Sequence, residues 1–61
     1  MKYRELIRAI ERDGWVQIAQ RGSHRQYKHA TKKGRGTVAG KPNADVPPGM
    51  LKSILRQAGL S

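Results

Sequence analysis

His24 is the side chain best placed in this sequence to move a proton beside a cluster of cations. It directly follows Arg21-Gly22-Ser23 and precedes Arg25, Gln26, Tyr27 and Lys28. Imidazole changes charge in the physiological range, so it can take a proton and give it back. Arg21, Arg25 and Lys28 are close enough in sequence to hold an anion against it. In a regular strand Gln26 and Lys28 share the face of His24 while Arg25 points away, which favours Lys28 as the nearer cation. The other reading of His24 is a surface turn residue whose ring caps the local backbone. Ser23 carries a hydroxyl, but no carboxylate stands near it to complete a triad, so a turn-forming role is expected. His29 is an odd separation from His24, so the two rings face opposite sides and share no metal. The chain has no cysteine. Its four carboxylates, Glu5, Glu11, Asp13 and Asp45, are scattered, and no metal or other cofactor is expected.

The elements that must position His24 follow from periodicity. Residues 2–13 predict an amphipathic helix, with Tyr3, Leu6, Ile7 and Ile10 on one face. Arg4, Arg8 and Arg12 fall within about 80° of one another on the opposite face, where a solvated stripe is the ordinary outcome. Asp13-Gly14 ends the helix, Gly14 being free to take the left-handed conformation. Residues 15–20 alternate as a strand, with Val16 and Ile18 expected toward the core and Trp15 in the opposite register. Residues 21–23 supply a turn, residues 24–29 a second and more polar strand, residues 31–34 another turn, and residues 35–39 a short third strand. Residues 40–47 carry two prolines and a glycine and exclude a strand or helix. Pro48 opens a closing helix whose buried face is Met50, Leu51, Ile54, Leu55 and Ala58. Gly59 stops it and places Leu60 to contact Leu55. The expectation is an α+β fold of order α-β-β-β-α, a three-stranded antiparallel sheet with both helices on one face. Trp15 and Tyr27 are assigned to the core, although either ring has the chemistry to stack on a base.

Charge narrows the function. Thirteen Lys and Arg face four Asp and Glu, a net charge of +9 on 61 residues. So short a chain forms one domain, residues 1–61, and buries only ~60% of the surface its unfolded form exposes, which argues against a deep substrate cavity. A shallow basic surface suits a polyanion: nucleic acid, an anionic membrane or an acidic protein. The membrane reading lacks the wide apolar helix face that such proteins show. No apolar run is long enough to span a bilayer and no leader is visible, so a cytoplasmic location is expected. Lys32, Lys33 and Arg35 lie at a turn, where phosphate contact and plain solvation are equally open.

Four segments resemble the HicA family of bacterial toxins. They are Asp13-Gly14-Trp15, then Gly22-Ser23-His24 with Tyr27, Lys28 and His29, then Lys32-Lys33-Gly34, and finally Pro48 through Leu60. Together they span almost the whole chain in the family's order. The resemblance implies a fold like a double-stranded-RNA-binding domain. It implies a toxin of a type II toxin-antitoxin system, an endoribonuclease that cuts single-stranded messenger RNA, and a HicB-type antitoxin covering His24. The family's essential histidine corresponds to His24. Many members also carry Pro and His just after the third strand, whereas Ala39-Gly40-Lys41-Pro42-Asn43 stands here without a histidine.

RNA brings its own nucleophile, the 2′-hydroxyl beside each phosphodiester. One histidine among cations is then enough to remove that proton and stabilise the developing charge without metal. The expected RNA contacts are Arg21, Ser23, Arg25, Lys28, Lys32 and Lys33. The competing reading is a basic RNA-binding module without chemistry, and only the enzyme needs His24.

Overall fold

The computed structural model describes residues 1–60 and runs α1 (Tyr3–Arg12), β1 (Trp15–Arg21), β2 (His24–His29), β3 (Arg35–Ala39) and α2 (Pro48–Gln57). The strands form one antiparallel sheet in the order β1-β2-β3. This is the α+β arrangement that the sequence predicts. Ser61 lies outside the described residues.

The helix ends show how local sequence sets the frame. Lys2 is a poor N-cap residue, yet the free N–H groups of the first turn of α1 find acceptors. Tyr3 donates to the carbonyl of Ala44 (3.0 Å) and Arg4 to that of Pro42 (3.1 Å). The Glu5 carboxylate accepts the Lys2 N–H at 2.9 Å. The connection 40–47 is thus the cap of α1, which ties that helix to the exit of β3. At the end of α2, Gly59 (φ +73°) donates to Arg56 (3.1 Å) and Leu60 to Leu55 (2.8 Å). These are the two bonds of a Schellman motif, as expected from Gly59-Leu60.

The core is Tyr3, Leu6 and Ile10 from α1, Trp15, Tyr27 and Val38 from the sheet, Val46, Ile54 from α2, and Ala58 at its C-cap. All belong to one cluster, so both helices cover the same sheet face and the other face is open. The closing helix buries less than expected. Ile54 and Ala58 are buried and Leu51 and Leu55 pack at the margin, but Met50 is exposed, its sulfur accepting the Tyr3 hydroxyl at 3.0 Å.

The register of β1 is the reverse of the predicted one. Trp15 is buried, whereas Val16 is 62% and Ile18 47% exposed. Trp15 carries the larger apolar surface and gains more by burial. Its indole N–H also donates to the Ala58 carbonyl (3.2 Å), and its ring meets His29 edge-on at 5.3 Å. With Trp15 inside, Val16 must face out. Ile18 sits in a bulge, where the pairing shifts from Gln17↔Tyr27 to Ala19↔Gln26.

The hydroxyl of the fully buried Tyr27 has no hydrogen-bond partner among the described residues. Burial also pushes its phenol above the ordinary 10.0. Tyr27→Phe should therefore stabilise the domain by about 1 kcal/mol, since an unsatisfied buried hydroxyl costs roughly that much or more. Thermal melts should show a midpoint ~4–8 °C higher; an unchanged or lower midpoint would mean that the hydroxyl is satisfied.

Candidate functional site

The β1–β2 hairpin closes on two residues, Gly22 and Ser23. Gly22 has φ +59° while Ser23 keeps negative φ, the pattern of a type II′ turn that suits the twist of the flanking strands. The turn leaves His24 at the first position of β2, paired with Arg21 on one side and Ala39 on the other. Tyr27 is buried under the helices, so the alternate residues His24, Gln26 and Lys28 belong to the open face. The bulge at Ile18 matters here. It resets the alternation of β1, so Ala19 and Arg21 join the side of His24 instead of the side of Trp15. From β3 the same face takes Arg35 and Thr37, the partners of Lys28 and Gln26.

A shallow groove of about 590 Å³ opens on this face, lined by Ala19, Gln20, Arg21, His24 and Gln26. Arg21 and His24 are exposed. The Gln20 amide is engaged by the Gly22 carbonyl and the Arg25 guanidinium by the Gly40 carbonyl, but the His24 ring bonds to none of the described residues. It does not cap the turn. Beside it the chain is held by Gly40, whose N–H donates to the Ser23 carbonyl at 3.2 Å. Gly40 has φ +153° and lies against the Tyr3 ring with no room for a Cβ, so the core of α1 fixes the hairpin turn. All four carboxylates lie elsewhere: Glu5 and Glu11 on α1, Asp13 at its exit and Asp45 in the loop. Among the described residues the open face thus offers Arg21, Lys28, Arg35 and His24 to a ligand with no carboxylate side chain to compete.

Residues 3–60 match the family of the HicA toxin of bacterial toxin-antitoxin systems. The chain belongs to the HicA toxin family. No curated protein matches it. Membership makes the chain a toxin whose partner is an antitoxin, and the match takes in every strand and both helices.

Within this HicA chain the sequence-predicted residues separate into two groups. Arg21, Ser23 and His24 meet at the hairpin turn. Lys28 shares their face but stands four residues along β2, roughly 13 Å from His24 at 3.3 Å per residue. The nearest polar side chains to His24 on the open face are therefore those of Arg21 and Gln26, not Lys28. Lys33 is exposed in the β2–β3 connection, at the other end of β2. Arg25 lies on the helix-facing side and bonds Gly40 (3.4 Å), so it supports the turn. Gln26 lies on the face of His24, as strand alternation predicts, and bonds Arg35 at 3.2 Å; Arg35, expected at a turn, instead opens β3 opposite Lys28.

Lys32 is not free for a phosphate. Its ammonium bonds the Asp13 carboxylate and the Ala58 carbonyl (3.0 Å), linking the exits of both helices. His29 completes this corner, on the opposite side of the sheet from His24 as the odd separation predicts. Its Nδ1 accepts the N–H groups of Thr31 (3.1 Å) and Lys32 (3.2 Å), so Nε2 carries the proton that meets the Asp13 carbonyl at 2.6 Å. The Lys32 hydrogen bond holds the Asp13 carboxyl below its ordinary 3.8. A carboxyl depressed by folding stabilises the fold above its unfolded value and loses that contribution as pH falls through the folded one. Lys32→Met should thus flatten the stability profile below 3.8, as read from thermal melts across ~pH 2–5. An unaltered profile would show that the pair is not formed in solution.

Among the described residues no helix is long and apolar enough to cross a membrane.

Proposed function

We propose that this HicA chain is a metal-independent endoribonuclease that cuts single-stranded messenger RNA with His24. In this reading a HicB-type antitoxin silences it by covering His24, and both act in the cytoplasm. The observation that carries the reading is an unengaged histidine on the rim of a groove in a basic, carboxylate-free sheet face.

The chemistry is a transesterification. His24 takes the proton of the 2′-hydroxyl, and the 2′-oxygen attacks the adjacent phosphorus. The bond from phosphorus to the 5′-oxygen breaks, and that oxygen leaves with a proton returned by the His24 imidazolium by way of solvent, so the imidazole ends as it began. Arg21, the cross-strand partner of His24, faces the charge that develops on the phosphorane. Ser23, Lys28, Lys33 and Arg35 contact the RNA on either side. The sheet order and flanking helices are consistent with the double-stranded-RNA-binding type of fold, with the open sheet face given to substrate. Since His24 and His29 lie on opposite sides of the sheet, the side chains near the groove are a poor set of metal donors.

The test is incubation of the purified chain with single-stranded RNA in the presence of a chelator. Cleavage is expected; binding without cleavage would instead support a basic RNA-binding module. Affinity should also depend on salt. The four cations set against the RNA, Arg21, Lys28, Lys33 and Arg35, imply a log–log slope of roughly −3, at about −0.7 per phosphate neutralised. Titrations at several ionic strengths read the slope, and a flat response would exclude a charge-led interface.

A further inference from the structure

The sheet order leaves β1 and β3 as edges, and the two are not alike. Gln57 of α2 reaches the Thr37 N–H of β3 at 3.4 Å. Among the described residues, β1 makes no backbone hydrogen bond outside its ladder with β2. Edge strands are ordinarily blunted by proline, lysine or an inward charge. Trp15–Arg21 contains no proline, lysine or acid; its protective devices are the bulge at Ile18 and the single charge of Arg21 at its end, which leaves the Trp15–Gln17 stretch unguarded. Its exposed side chains include Val16 and Ile18, which the hydrophobic pattern alone would have buried.

We infer that β1 is the docking edge for the antitoxin, which adds an extended segment there as a fourth strand. This rests on the toxin-antitoxin reading and specifies how the partner reaches His24. A strand added ~4.8 Å from β1 borders the groove directly, because Ala19, Gln20 and Arg21 of β1 form one of its walls. The segment that fits carries apolar side chains against Val16 and Ile18 and a carboxylate against Arg21. Pairing Arg21 withdraws the cation beside His24, so docking at the edge and blocking of the site are one event. Charge selects this occupant over a second copy of the chain, since two molecules of +9 repel. Backbone pairing supplies affinity and the side-chain alternation supplies register.

Binding of the purified antitoxin to the unsubstituted chain and to a Val16→Glu, Ile18→Glu double variant tests this. The variant should bind at least ~10-fold more weakly, because it places charge where apolar contact and an acidic partner meet. Amide hydrogen exchange of the unsubstituted complex gives a second reading that does not depend on the variant folding. The β1 amides that point away from β2 should gain protection. Unchanged affinity, or a complex without that protection, overturns the strand-addition proposal alone. Failure of the unsubstituted chain to bind any antitoxin overturns the toxin-antitoxin pairing and this proposal with it. Concentration-dependent self-association through β1 overturns the choice of occupant.

Discussion

Replacing His24 by Ala should leave a folded protein whose RNA cleavage has fallen by at least ~10²–10⁴-fold, the usual contribution of a positioned acid–base group. Growth arrest on induction should vanish with it. The size of the effect follows from the surroundings. His29 cannot substitute, because its ring is on the helix side, with both nitrogens committed to the Asp13, Thr31 and Lys32 backbone. The carboxylates of Glu5, Glu11, Asp13 and Asp45 are on other elements. The effect on stability should be no more than ~0.5 kcal/mol, since an exposed side chain without hydrogen bonds is being removed. RNA affinity should change little, because Arg21, Lys28 and Arg35 remain. A thermal melt, a cleavage assay and an RNA-binding titration on one preparation read stability, chemistry and affinity. A folded His24→Ala protein that cuts RNA at the original rate would remove His24 from the mechanism.

How far this site can be read from the residues depends on which physical rule governs each one. Gly22-Ser23 between two extended runs dictates a two-residue turn, so the position of His24 at the start of a strand is legible. The stop at Gly59 and the contact sequence around it are equally local. Arg21 is different. Simple alternation from Trp15 puts it on the helix side, and only the bulge at Ile18 returns it to His24. Nothing in Gln17-Ile18-Ala19 announces that bulge; it arises where Trp15 must be buried and Arg21 must pair with His24 across a tight turn. The same competition exposed Val16 and Ile18. Two β-branched residues at alternate positions make a sound core signal, but one tryptophan outweighs them. Lys32 misled for a related reason. A lysine in a loop of cations looks solvated until the exits of both helices arrive at it from residues 13 and 58, and such convergence is tertiary information. The cap of α1 by residues 42–44 belongs to the same class, since backbone carbonyls carry no sequence signature.

A single 2′-deoxy sugar at the scissile position should protect the RNA almost completely. The groove contributes a proton acceptor and positive charge, but the only candidate oxygen nucleophile of the chain at the turn is Ser23. Its hydroxyl has no histidine–carboxylate relay to activate it, because no carboxylate shares the open face. The attacking oxygen must then come from the substrate. Removing it leaves the charge of the strand, and with it the proposed contacts of neighbouring phosphates to Arg21 and Lys28, but no intramolecular route to phosphorus. Effective molarities of intramolecular attack reach ~10⁵–10⁸ M, so losing that route should be the largest single change that can be made to the substrate. The cut products of unmodified RNA should end in a 2′,3′-cyclic phosphate on one fragment and a 5′-hydroxyl on the other. Mass spectrometry of the fragments and a time course on the deoxy-substituted strand read both. Binding should be nearly equal for the two strands, which separates a loss of chemistry from a loss of affinity. Efficient cutting of the deoxy-substituted strand, or fragments carrying a 5′-phosphate, would show that water or an enzyme group attacks instead, and His24 would then have to be reassigned to activating that nucleophile.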